Sequence, residues 1–100
     1  MKANIVFAML LLLVCAAALN AEVIVNVRDD DSCLFLGTVY LVTEGPTYSY
    51  SGVFPGTARF DVEPHTGEEI VAFIFRNGTW YRSEVGEYRP PSTTLTINLD

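Results

Sequence analysis

The stretch that most limits how this chain can fold is Glu69–Arg76, read as EIVAFIFR, with Asn77-Gly78 directly behind it and Thr79-Trp80-Tyr81 after that. Its six consecutive apolar residues, Ile70 to Phe75, are too few for a helix of ordinary length. They are rich in β-branched and aromatic types, and a turn dipeptide closes them, so they predict a buried strand. Asn-Gly suits a two-residue type I′ turn, whose two central residues need positive φ. In that turn Phe75 stands opposite Trp80, and Ile74 opposite Tyr81, across a hairpin. The strand is also apolar on both faces: Ile70, Ala72 and Ile74 on one, Val71, Phe73 and Phe75 on the other. A two-layer sandwich buries only one face of each sheet. Something must therefore cover the second: the segment 84–92, a second subunit or a partner.

The N-terminus reads as a separate element. Lys2 precedes fifteen unbroken apolar residues, from Ile5 to Leu19, and Ala16, Ala17, Ala18 and Ala21 close the segment. A positive start, an apolar core and small residues form the pattern of a secretory signal peptide. Residues 1–21 are assigned to it and residues 22–100 to the domain, with cleavage after Ala18 as the alternative boundary. The apolar core falls short of the ~20 residues a spanning helix needs. Leu12-Leu13-Val14-Cys15 resembles a bacterial lipoprotein box, but Val14 stands where a small residue is wanted. The expected location is outside the cytoplasm, extracellular or periplasmic, with no stable membrane insertion.

The remaining 79 residues carry five arginines against twelve acids, a formal charge of −7. That balance argues against nucleic acid and anionic membranes as partners. Cys15 leaves with the signal peptide, so Cys33 stands alone and no internal disulfide forms. A domain of this size buries only about 60% of its unfolded surface, so its core must suffice by itself.

Along the domain, Glu22–Arg28 alternates, with Val23, Val25 and Val27 on one face. Asp29-Asp30-Asp31 ends it in a solvated loop. Residues 34–43 form a second strand, with Gly37 marking a bulge or a close approach. Tyr48 and Tyr50 alternate with Thr47, Ser49 and Ser51 in a short edge strand. Residues 52–56 read as a loop, and 57–62 as a strand with Ala58, Phe60 and Val62 inward. Pro64 to Gly67 forms a connection, and residues 84–92 an extended loop. Leu95, Ile97 and Leu99 face inward from the last strand. Seven short strands with turns between them predict an all-β domain, a sandwich or a small barrel.

The order of motifs resembles carboxypeptidase regulatory-like domains. The carriers are Val23-Ile24-Val25-Asn26-Val27 before an Asp-rich loop and Gly37-Thr38-Val39-Tyr40-Leu41. Thr57-Ala58-Arg59-Phe60-Asp61-Val62, the run from Pro64 to Phe75 and the closing Thr94-Leu95-Thr96-Ile97-Asn98-Leu99 extend it. The resemblance spans nearly all of the domain. It implies a seven-stranded Greek-key β-sandwich of transthyretin-like (prealbumin-like) type. Such modules are mostly non-catalytic accessory, adhesive or binding units without cofactors. Some relatives of the fold, in bacterial surface adhesins, carry a Lys–Asn isopeptide crosslink; the domain has no lysine to form one.

Candidate sites follow from residue chemistry. Asp29, Asp30 and Asp31 offer oxygens for calcium, with Asp61, Glu63 or Glu68 to complete a site; adjacent acids at a strand end also make an ordinary solvated turn. His65 and Cys33 are the one conceivable base–nucleophile pair, but no motif surrounds them. No phosphate loop or nucleophile elbow is present, and no enzyme is expected. Asn77-Gly78-Thr79 is a glycosylation acceptor pattern at the hairpin tip. The aromatics Tyr48, Tyr50, Trp80, Tyr81 and Tyr88 are the candidate binding residues, since Tyr and Trp suit interfaces. The expected function is an exported module that binds a protein partner or a second copy. A protease inhibitor with an exposed loop at 52–56 or 86–92 is one alternative. A carbohydrate-binding module that stacks sugars on Trp80 and the tyrosines is another.

Overall fold

The computed structural model describes residues 21–31 and 33–100. The signal-peptide reading of residues 1–21 lies outside the described residues, apart from Ala21. The elements are β1 Glu22–Arg28, β2 Phe35–Val42, β3 Thr47–Phe54, β4 Gly56–Phe60, β5 Glu69–Arg76, β6 Thr79–Arg82, β7 Gly86–Glu87 and β8 Ser92–Asn98. They make two open sheets in a sandwich-like arrangement. The smaller runs β4-β1-β8, and the larger β3-β2-β5-β6 with β7 also on β5.

Alternation in sequence becomes two inner faces. Val23, Val25, Val27, Ala58, Phe60, Leu95 and Ile97 come from the small sheet; Val39, Leu41, Phe54, Ile70, Ala72 and Ile74 come from the large one, and all are buried. The central hairpin forms as the turn dipeptide requires. Asn77 and Gly78 have φ of 51° and 80°. Phe75 pairs with Trp80 and Ile74 with Tyr81.

Four features refine or depart from the expectations. First, eight strands form rather than seven, because residues 84–92 are not a free loop. After β6 the Ser83 side chain takes over the ladder: Ala72 N–H donates to Ser83 Oγ at 3.0 Å, and Ser83 N–H to Ala72 O at 2.9 Å. The chain thus stays beside β5, and Gly86 then pairs with Ile70. Second, residues 52–54 continue β3, which keeps an unbroken register with β2 from Thr47↔Val42 to Phe54↔Phe35. The chain changes sheets at Pro55, between β3 and β4. Third, β1 and β8 run parallel, in register from Glu22↔Ser92 to Arg28↔Asn98. Fourth, of the two readings of Gly37 the close approach holds and the bulge does not: a Cβ there would lie 3.0 Å from the Phe35 ring, so the glycine makes room for that ring.

Candidate functional site

The outer face of the large sheet is built by register. Tyr40 of β2 pairs with Phe73 of β5, and Val42 with Val71. Phe73 in turn pairs with Arg82, and Phe75 with Trp80. Adjacent strands lie about 4.8 Å apart, so these side chains form a continuous patch. Trp80 packs at its centre, 5.1 Å from the Phe75 ring and 6.0 Å from the Tyr40 ring. It stays 59% exposed, with Phe75 at 49% and Tyr40 at 37%. Between the rings is a depression of ≈ 400 Å³ lined by Tyr40, Val42, Thr47, Phe73 and Trp80. Its exposed lining is apolar. Arg82, exposed at the rim, is the nearest cation.

Residues 84–92 do not cover this face. The Ser83 switch holds them along the sheet edge, where Tyr88 N–H donates to Glu68 O at 2.8 Å. Tyr88 turns inward and is 1% exposed, among the largest fully buried side chains. It is a core residue rather than a surface one, and burial pushes its phenol pKa up.

The other predicted aromatics separate in the same way. Tyr81 is half-buried against the core because it shares the inner face with Ile74. Tyr48 is half-buried there too, opposite Leu41. Tyr50 is 40% exposed at the sandwich edge, its ring 6.3 Å from both Phe54 and Phe60. Of the five, Trp80 alone lies on the outer patch. Of the partners it gathers, Phe73 and Phe75 were signalled by the double apolar face of β5 rather than by aromatic count, and Tyr40 joins them from β2.

The acidic loop does not gather a calcium site. The Asp29 carboxylate is held by Arg76, and its side chain is only 3% exposed. Asp31 N–H also donates to Asp29 Oδ1, at 3.1 Å. The Arg76 hydrogen bond, with the Asp31 amide, holds the Asp29 pKa below its ordinary value. Arg76 lies 4.7 Å over the Phe35 ring. Asp30 instead sits beside Asp100, whose charge raises its pKa. Asp61, Glu63 and Glu68 lie at the other end of the strands, since β1 ends at Arg28, next to Asp29, β5 ends at Arg76, and both begin near those acids. Among the described residues, no three His, Cys, Asp or Glu side chains come together for a metal ion.

Cys33 and His65 are likewise kept apart. Cys33 is exposed beside Arg76, at the end of β5. His65 precedes the start of β5, which the strand rise places roughly 23 Å away. There His65 lines a cleft of ≈ 290 Å³ with Glu44, Glu63 and Glu68. Glu68 is 8% exposed and serves as a staple in that cleft. His65 N–H donates to its Oε1 at 2.9 Å and Glu44 N–H to its Oε2 at 2.8 Å. The His65 amide bond, with the Glu44 amide, lowers the Glu68 pKa. Sequence reasoning missed this role. Asn77 is exposed at the hairpin tip, as its acceptor pattern requires.

Compared with known proteins, the chain matches no family model, no curated protein and no solved structure.

Proposed function

We propose that this chain is an exported, non-catalytic interaction module that holds a protein partner on the outer face of its large sheet. One observation carries the reading: Tyr40, Phe73, Phe75 and Trp80 form a continuous apolar patch that no segment of the described domain covers. Burying such rings yields about 25 cal/mol per Å² of apolar surface. Buried aromatic anchors are the residues that dominate protein interfaces. Export rests on the N-terminal pattern of Lys2, the apolar run and the alanines. The two-sheet architecture and the motif order support a sandwich of the transthyretin or carboxypeptidase-regulatory type.

The patch suits a protein better than a sugar. A carbohydrate needs hydrogen-bonding groups around its ring, and the exposed lining of the depression is apolar. The rings are also tilted by 51° and 55° to one another instead of forming a flat platform. The inhibitor reading loses one of its loops, because residues 52–54 belong to β3 and Phe54 is fully buried. The second, 86–92, is anchored by Tyr88 and by the Arg89 N–H, which donates to Thr93 Oγ1 at 2.8 Å.

The test is cross-linking of the secreted protein in its own extracellular fluid, with wild type, Trp80→Ala and Phe73→Ser compared. One discrete partner, lost in both variants while their circular dichroism stays that of strand, supports the reading. A partner retained by both variants overturns it. A glycan array bound by wild type and lost in Trp80→Ala would transfer the patch to sugars.

A further inference from the structure

We infer that β3 is a self-pairing edge, through which two copies of this chain join their large sheets into one. The inference is independent of the aromatic face. A free sheet edge is a row of unpaired backbone donors and acceptors, and proteins protect such rows with charge, proline, bulges or short strands. β3 has none of these within its length, with Pro46 and Pro55 standing just outside its two ends. It is eight residues long, TYSYSGVF, and pairs without a bulge to β2 along its whole length. Among the described residues, every backbone hydrogen bond of Thr47–Phe54 runs to β2.

The other edges are shorter. β4 is five residues long and carries Arg59, ion-paired to Glu22 at 3.3 Å. β6 is four residues long and carries Arg82. β8 is seven residues long, and the segment at 84–86 lies beside it and brings Glu84 near. β3 is the longest of the four.

Charge and pattern name the occupant. The domain carries a formal −7, so two copies repel unless they meet where acids are absent. Residues 45–58 contain no charged side chain at all. β3 is also self-complementary. An antiparallel pair about a two-fold axis sets like faces opposite. The outer face then matches Thr47, Ser49 and Ser51 against their counterparts, and the inner face matches Tyr48, Tyr50 and Gly52. Hydroxyl pairs and aromatic pairs both stabilise adjacent strands, and no charge meets a like charge. A single-edge contact is small, so the pairing is transient and appears at high concentration.

The experiment is sedimentation of the secreted protein, expressed from the full-length sequence, at concentrations up to about 1 mM, where small interfaces become populated. Ser49→Lys is the main variant. It makes the chain less negative, so any non-specific association strengthens, whereas the paired edge acquires two facing ammonium groups. The wild type is expected to dimerise reversibly, Ser49→Lys to raise the dissociation constant by about tenfold or more, and Trp80→Ala to leave it unchanged. Amide exchange in the wild type needs no variant: protection over residues 47–54 should rise with concentration and rise nowhere else. A wild type that stays monomeric overturns the inference. So does a dimer that survives Ser49→Lys, or one that Trp80→Ala abolishes.

Discussion

At the scale of single residues, several polar side chains of this domain are committed to structure. Glu68, Asp29, Arg76 and Ser83 each satisfy backbone or ionic partners at the ends of strands. This sets the response to acid. Asp29 and Glu68 both have folded pKa values below their ordinary ones, which lie near 3.8 and 4.5. Each therefore stabilises the fold above its ordinary value, and that stability is lost as pH falls through the lowered one. Arg76→Met removes the partner of Asp29. The gap in stability between wild type and variant should be full near neutral pH and shrink below about pH 4, as urea unfolding at each pH would report. Gly78 gives a simpler case. Its φ is 80° and the space a Cβ would take has no neighbour within 4 Å, so Gly78→Ala meets only backbone strain. It should cost about 1–2 kcal/mol in denaturant unfolding. The Asn-Gly pair was fully legible in the sequence, because positive φ is a property of residue type. The roles of Glu68 and Ser83 were not, because a staple is defined by the distant amide that it reaches.

At the scale of elements, β5 is the strand whose two faces do different things. Ile74 is fully buried on the inner face, while Phe75 is half exposed on the outer. Ile74→Ala should lower stability by about 3 kcal/mol, the cost of a core cavity. Phe75→Ser should lower it by about 1 kcal/mol or less, the worth of a cross-strand aromatic pair. The same Phe75→Ser variant should weaken partner binding far more than it weakens folding. Equal losses of stability at the two positions, in paired urea titrations, would show that both faces are core. Periodicity of two revealed β1, β4 and β8, since alternation survives wherever one face is wet, while β5 was legible from its apolar run and the Asn-Gly that closes it. It did not reveal β7, which is two residues long and exists because Ser83 hands the chain along β5. It also misread residues 52–54 as loop, because Gly52 looked like a break. In the sheet Gly52 lies under the Tyr50 ring, 2.9 Å from where a Cβ would stand.

At the scale of the whole molecule, the sheet order explains why the outer face stays bare. β1 enters the small sheet between β4 and β8, and β8 runs parallel to it. The closing strand is thereby used on the small sheet, and β6 and β7 both run along the flank of β5. No described segment is left to cross over Tyr40, Phe73, Phe75 and Trp80. The two-sheet class was readable from strand count and spacing, but the parallel pairing of the first and last strands was not, since local pattern carries no information about partners far apart in the chain. For the same reason the surplus of aromatics was visible in the sequence while their division was not: Tyr88 went to the core and Trp80 to the surface. Trp80 is the one tryptophan of the chain and sits at the centre of the bare face, so its fluorescence reports on that face alone. Acrylamide quenching of the dilute, folded protein is the measurement. A solvent-exposed emission and steep quenching, both suppressed when the partner binds, are the predicted result; a short-wavelength emission that resists acrylamide in the free protein would contradict the account.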